Sequence, residues 1–381
     1  MTDATFDIVV IGAGIAGASV AAELARTHRV AILEREEFPG YHSTGRSAAL
    51  FSEIYGNSVV RALSRASRDF YHAPPSGFAP GPLVKPRGAM YIARKEQLAQ
   101  LESFAAKSDL AGSIRHIAPE DALAACPILR PDYVHGALME LDAADVDVAA
   151  LHQGYLRLFR AAGGTLVTNA DVEDLLYREG QWRLTTPSGE YRAKLVVNAA
   201  GAWADTIATK AGGAPLNIQP CRRTVVLVEL PPQLSPGAWP MVIDIDESFY
   251  LKPDAGLLLL SPADETPVAP CDVQPEEYDV AIAIDRVEQA TTLNVTRIRK
   301  RWAGLRSFAP DRSPVIGFDG ALPGFFWLAG QGGYGIQTAP AASRFAAALL
   351  RGEQPPRDMI EIAAQLSPQR FAAQATARSG T

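Results

Sequence analysis

Three glycines and one acid make the densest chemical signal in this chain. Gly12, Gly14 and Gly17 follow the apolar run Ile8-Val9-Val10-Ile11. An alanine-rich stretch comes next, and Arg29-Val30-Ala31-Ile32-Leu33 then leads into Glu34, 22 residues after Gly12. Strand, glycine turn, helix, strand and carboxylate in this order form the βαβ unit that binds dinucleotides. Gly12 permits the tight turn, Gly14 lets backbone approach a pyrophosphate, and Gly17 lets helix and strand pack closely. The helix start at Ile15 and Ala16 offers amide hydrogens and the positive end of its dipole to phosphate. Glu34 is spaced to take ribose hydroxyls and to repel a 2′-phosphate.

The rest of the chain must position this unit and give the bound group something to act on. At 381 residues it is too long for one nucleotide-binding domain, and 48% apolar with 20% charged residues suits a protein with sizeable cores. A formal charge of −6 without any Lys/Arg run argues against a nucleic-acid partner. No segment approaches the ~20 apolar residues that span a bilayer, and the first apolar stretch has no basic flank, so a cytoplasmic location is expected. Cys126, Cys221 and Cys271 are widely spaced and read as reduced thiols, with a packing role for Cys221. No metal-binding spacing is present.

Parallel-strand grammar recurs after long detours. Thr165-Leu166-Val167 follows an amphipathic helix over 151–162. Leu195-Val196-Val197-Asn198 ends in the turn Ala199-Ala200-Gly201 before a helix from Trp203. Phe325-Phe326-Trp327-Leu328-Ala329 runs into a glycine-rich turn and a helix through Leu350. Between these lie alternating runs such as 224–230 and Phe249-Tyr250-Leu251, separated by proline-rich connections. The pattern predicts an α/β protein: a discontinuous Rossmann-like domain (1–83, 145–213 and 301–366) with a mostly parallel sheet. An α+β domain on a largely antiparallel sheet is inserted in it (84–144 and 214–300), and a frayed tail covers 367–381.

Six blocks in order carry a resemblance over nearly the whole chain. They are Gly40-Tyr41-His42-Ser43-Thr44-Gly45-Arg46-Ser47-Ala48-Ala49; Leu151-His152-Gln153-Gly154-Tyr155; Val197-Asn198-Ala199-Ala200-Gly201-Ala202-Trp203; Asp246-Glu247-Ser248-Phe249-Tyr250-Leu251-Lys252-Pro253; Trp302-Ala303-Gly304-Leu305-Arg306; and Gln331-Gly332-Gly333-Tyr334-Gly335-Ile336-Gln337. The chain resembles the FAD-dependent D-amino-acid oxidase family, and within it the D-arginine dehydrogenase-like branch. The resemblance turns the dinucleotide into FAD. Ala309 and Pro310 offer no thiol for attachment, which implies non-covalent FAD. Ser43 to Ala49 would wrap the pyrophosphate, and Arg46 would balance the diphosphate or meet the flavin. His42 is a further neighbour of the ring. The resemblance also places Arg35, Val172, Ala200, Gly201, Trp203, Gly304, Arg306, Tyr334, Ile336 and Gln337 around the cofactor. Gly332 to Gly335 would let backbone approach the flavin pyrimidine, and a helix from near Thr338 would aim its positive end there.

The same resemblance implies oxidative deamination of a D-amino acid, by hydride transfer to the flavin. The resulting imino acid hydrolyses to a 2-oxo acid and ammonia. Arg306 and one of Arg222 and Arg223, with Arg223 preferred, would hold the carboxylate, because guanidinium grips carboxylate bidentately. Only one of two consecutive strand residues can face the site. Tyr250 would add a hydroxyl, carbonyls around Gly333 would hold the amine, and Tyr55 on the loop 50–56 would cover the substrate. Two substrate-pocket positions depart from the D-arginine enzymes: Ala89 stands where they carry an acid, and Leu50 where they carry His. With Ser52 and Glu53 on the same loop, the pocket is expected to favour a neutral or apolar side chain. The alternatives are an O2-using oxidase of D-amino acids or secondary amines, an NAD-dependent dehydrogenase, which suits only the first 34 residues, and a non-catalytic flavoprotein. The electron acceptor (a quinone, another carrier or O2) is left open, and a monomer or weak homodimer is expected.

Overall fold

The computed structural model describes residues 2–371 except Ala111, and not the side chains of residues 2, 3 and 108. Thr2–Ile11 is the hub of the first sheet. It pairs in parallel with Val30–Leu33 on one side and with Gly189–Asn198 on the other, and Thr165–Val167 extends the sheet beyond Val30–Leu33. Gly189–Asn198 serves two neighbours in turn. Its first half pairs antiparallel with Gln181–Thr186, and its last residues pair in parallel with Phe325–Ala329.

Alternation assigns each strand residue to one of two cores. Ile8, Val10, Ile32, Val197 and Phe326 pack under the helices Ile15–Leu24, Val148–Ala161 and Gly335–Leu350. Val9, Ile11, Leu33, Val196 and Trp327 pack on the opposite face with Trp182 and the helix Ala204–Lys210. Burial on both faces is why these strands read as unbroken apolar runs.

The helix Gly335–Leu350 begins three residues before the expected start at Thr338, with Pro340 inside it. Proline cannot donate to the carbonyl four residues back. The freed Ile336 carbonyl instead accepts from the Tyr71 hydroxyl, and the Ser67 hydroxyl accepts from the next amide, Ala341, at 3.1 Å. Both come from the helix Ser58–His72.

The second sheet has ten strands among the described residues, antiparallel except where Met241–Asp244 runs beside Ala89–Ala93. Its outer face (Met90, Val226, Val242 and Leu251) packs on the helix Glu277–Ala290. Its inner face presents Ala89, Tyr91, Val225, Met241, Ile243 and Tyr250. The boundary expected at residue 300 falls inside a strand, Ile298–Phe308, which pairs along Gln219–Val228 and so belongs to this sheet. A small third sheet joins Leu50–Phe51, Val84–Pro86 and Ala144–Val146.

The tail expected to fray over 367–381 is held at its start. Arg370 pairs with Asp311 at 2.7 Å, and Gln369 donates to the Phe318 carbonyl at 2.9 Å. Residues 372–381 lie outside the described residues. Burial pushes the Cys221 thiol up, in keeping with packing.

Candidate active site between the two sheets

The glycine turn is sterically closed to side chains. Gly12 has φ +99°, and a Cβ there would lie 2.6 Å from the Ala199 carbonyl oxygen. A Cβ on Gly17 would lie 1.9 Å from the Gly12 oxygen. The intervening peptide is pinned at both ends. Glu34 accepts from the Ala13 amide at 2.7 Å, and the Ala13 carbonyl lies 2.8 Å from His152 Nε2. Burial lowers the pKa of His152, so a neutral ring donating from Nε2 fits the site. Nothing near His152 in the sequence signals this role, because the contact spans 139 residues. Thr44 Oγ1 accepts from the Ile15 amide at 3.0 Å, at the start of the helix.

From Gly14, Ile15 and Ala16 a cavity runs past Ser43, Thr44 and Ser47 to Leu50, then on to Gly304–Ser307 and Gln331–Gly333. Gly335, Ile336 and Gln337 bring the positive end of the long helix onto its wall. Ala48, Ala49 and Gly201 line it as well. Ser43 donates to the Leu305 carbonyl at 2.7 Å, which docks this loop on the second sheet. Glu34, Arg35, Val172, Ala200 and Trp203 are not on this cavity's wall. Arg35 lies over the Trp203 ring at 4.7 Å, and His42 meets the same ring at a tilt of 51° while hydrogen-bonding to Glu36 at 2.8 Å. Val172 is buried, and its carbonyl takes Lys210 Nζ at 2.6 Å.

Arg46 departs from expectation. It lines the cavity, yet its guanidinium is held by Asp272 and by the carbonyls of Val273 (2.9 Å) and Ala303 (3.2 Å). These partners lie more than 220 residues away in sequence, and together they compete successfully for its donors.

At the far end, Arg306 lies half-buried on the cavity wall and donates to Tyr55 Oη at 2.9 Å. Among the described residues no carboxylate pairs with it. Burial works against its charge, but the oxygens of Tyr55, Tyr250 and Tyr334 outweigh it and hold the pKa above its ordinary value. A Cβ on Gly333 would come within 2.7 Å of the Arg306 guanidinium, and one on Gly332 (φ +53°) within 2.3 Å of the Phe308 ring. Gly332 is thus required by the ring and its positive φ, whereas a side chain at 333 would displace the guanidinium.

Arg223 and Tyr250 share this wall, with the guanidinium 6.0 Å from the ring centroid. Arg223 lies opposite Gly304, two residues from Arg306 along the neighbouring strand, so both arginines emerge on one face. Unlike Arg306, it is committed to Glu265 (3.0 Å) and the Asp264 carbonyl (2.7 Å). Arg222 faces away, to Asp279 at 2.9 Å and to Glu276.

Leu50, Ser52 and Tyr55 of the loop line the cavity; Glu53 and Ala89 do not. Glu53 pairs with Arg68 at 3.2 Å. Tyr334 stands behind Tyr55, ring to ring at 5.0 Å, and contributes to a second cavity beyond it. The sequence reading missed Tyr91, Val225, Met241, Ile243 and Glu247, which complete the wall. For the four strand residues the signal is the two-residue alternation of the second sheet, which selects a face without saying which face is inner; Glu247 lies on the bend between two strands and carries no such signal.

These features suit FAD. A closed glycine turn leads to a helix start, and one continuous cavity joins it to a second helix start framed by two glycines. No group of three His, Cys, Asp or Glu that could hold a metal occurs among the described residues, and none of their helices is long and apolar enough to cross a membrane.

Comparison with known proteins agrees. Residues 7–349 match the family of FAD dependent oxidoreductases termed DAO. The chain is 25% identical to hydrogen cyanide synthase subunit HcnC of Pseudomonas aeruginosa, over 96% of this chain and 97% of that one. It is 25% identical to a glycine oxidase of Geobacillus kaustophilus, over 93% and 95%. In fold it is similar to the L-proline dehydrogenase of P. horikoshii, with TM-score 0.83 and 23% identity over 98% and 99% of the two chains. The chain therefore belongs to the DAO family of FAD-dependent oxidoreductases, and FAD is the dinucleotide its glycine turn serves.

Proposed function

We propose that this flavoenzyme oxidises the carbon–nitrogen bond of a carboxylate-bearing amine with a neutral, apolar substituent, a D-amino acid in the first instance. The observation that carries this reading is Arg306. It is a charged, half-buried guanidinium with no acidic partner among the described residues, set against the glycines of the cofactor loop. A planar fork in such a place suits a substrate carboxylate. Tyr55 and Tyr250 supply hydroxyls beside it, and Val225, Met241 and Ile243 give the side chain an apolar wall.

When bound, FAD supplies the hydride acceptor. The protein's share is binding and orientation. Arg306 fixes the carboxylate, Tyr55 closes over it, and the carbonyls near Gly333 receive the amine. Glu247 is the sole carboxylate on the described wall, and it is exposed. The amine must therefore arrive neutral or lose its proton to water. The product imino acid would hydrolyse to a 2-oxo acid and ammonia. D-arginine finds no acid at position 89, the neighbouring Glu140 is taken up by Ser52 and the Glu53 amide, and the one carboxylate on the described wall, Glu247, is exposed to water, where an ion pair is weak.

The relatives support a second reading: the similarity to glycine oxidases points to glycine, and that to a dimethylglycine dehydrogenase of Rattus norvegicus to an N-substituted glycine. An anaerobic panel of D- and L-amino acids, glycine, sarcosine and proline, followed by flavin bleaching, tests both. Bleaching by apolar D-isomers supports the first reading, and by N-substituted substrates the second. Bleaching confined to D-arginine and D-lysine, or no bleaching at all, sinks both. Peroxide formed under air would identify O2 as the acceptor.

A further inference from the structure

Glu140 ends the strand Gly136–Glu140 directly opposite Ala89, on the inner face of the second sheet. It is 2% exposed and does not itself line the cavity. Among the described residues no cation pairs with it. Its carboxylate instead accepts from the loop at 50–56: from the Ser52 hydroxyl at 2.7 Å and from the Glu53 amide at 2.9 Å, with the Ile54 amide also turned to it. Ser52 is a junction. Its own amide donates to Gln337 Oε1 at 3.4 Å, and Gln337 reaches Ser64 at 2.8 Å. The loop's base is therefore clamped between the inner face of one sheet and a helix of the cofactor domain. Tyr55, three residues after Ser52, ends on Arg306.

We propose that Glu140 is a positioning residue that, when ionised, latches the loop through Ser52, Glu53 and Ile54 and so sets where Tyr55 meets Arg306. The kinetic part of this proposal rests on the reading of that loop as a lid over the substrate; the latch itself does not. An ionised carboxylate accepts at both oxygens, whereas a protonated one turns one oxygen into a donor and loses hold of part of the loop. Burial lifts the Glu140 pKa to about 7, with the Ser52 and Glu53 bonds opposing and the Glu53 charge adding to it. The other charged or titratable groups facing it are Tyr91 from Ala89–Ala93 and, through Glu53, Arg68 from Ser58–His72. Gln337, from the cofactor helix, is neutral.

Amide hydrogen exchange on the FAD-loaded enzyme, with no substrate present, tests the latch. In wild type at pH 8 the Glu53 and Ile54 amides should be protected at least about tenfold more than in Glu140→Ala, as expected for loss of a charge-assisted bond. Ser52→Ala should give a smaller effect of the same sign. Corrected for intrinsic rates, wild-type protection at these amides should fall as the pH drops through about 7. That fall should be absent in Glu140→Gln, while the remote strand Phe325–Ala329 stays unchanged in all variants. Equal protection in wild type and both Glu140 variants, or a pH response that survives Glu140→Gln, overturns the proposal. Should Glu140→Ala fail to fold, Glu140→Gln and Ser52→Ala carry the test. With D-alanine as probe, KM should rise in Glu140→Gln by about tenfold while kcat changes less. A wild type that does not oxidise D-alanine counts against the substrate reading alone, since the exchange experiment needs no turnover.

Discussion

Replacing Arg306 by Gln removes a wall guanidinium that has no carboxylate partner among the described residues and that is proposed to hold the substrate carboxylate. Arg306 commits a single N–H to Tyr55, which leaves a fork for a carboxylate. Two hydrogen bonds to an ionised group contribute about 1.5–3 kcal/mol each. Because Arg306 is only partly buried, the low end applies, about 3–4 kcal/mol, or roughly 10²–10³ in affinity. The contact exists in ground state and transition state alike, so the loss should appear in KM with kcat less affected. Arg306→Lys keeps the charge without the fork and should fall between. The assay is anaerobic stopped-flow reduction of the bound flavin, followed near ~450 nm, with the flavin itself as reporter. FAD content should hold, because shortening residue 306 only relieves the contact with Gly333. A kcat/KM within about fivefold of wild type, or a fall in kcat at constant KM, would refute the role given to Arg306.

Gly17→Ala should cost the protein its FAD. Alanine is about 1 kcal/mol the better helix former, yet its Cβ would stand 1.9 Å from the Gly12 carbonyl oxygen and must open the turn. Gly81→Ala, with nothing within 4 Å, is the neutral control, and a Gly17→Ala protein that retains FAD through gel filtration contradicts the argument. Arg46→Ala should leave FAD affinity within about threefold while lowering Tm, because its guanidinium braces Asp272, Val273 and Ala303. A loss of about a hundredfold in FAD affinity would show that the side chain serves the diphosphate after all. Glu140→Gln should change how stability follows pH. The folded pKa is raised from 4.5 to about 7, so the acid's contribution is fully present below pH 4.5 and is lost as pH rises to about 7. The arithmetic gives about 3 kcal/mol over that window. The Tm of the variant relative to wild type should therefore climb between pH 5 and pH 8, and parallel curves would disprove the shift.

What could be read from the chain alone was whatever is decided within a few residues. Gly12 and Gly17 are glycines because of contacts inside one turn, and the parallel strands announce themselves because both faces are covered. The rest was settled at a distance. Alternation says that Arg222 and Arg223 face opposite sides; Asp279 and Glu276, more than 50 residues on, decide which one turns from the cavity. Arg46 looks like a phosphate ligand until Asp272 is folded beside it. The helix is expected from near Thr338, and the Tyr71 hydroxyl, 265 residues before the Ile336 carbonyl it binds, makes Pro340 tolerable inside a longer one together with Ser67. Ala89 signals a missing acid, whereas Glu140 on the adjoining strand shows one present and already engaged.

The contact between Gly333 and Arg306 bears on how this enzyme can be redesigned. With 2.7 Å between a hypothetical Cβ and the guanidinium, any substituent at 333 displaces the arginine at 306 from its present position. A shorter residue at 306 removes that conflict. Libraries that vary the two positions one at a time would discard every solution in which a small side chain at 333 accompanies a truncated 306. The pair should be randomised together, and productive combinations are expected to be strongly non-additive.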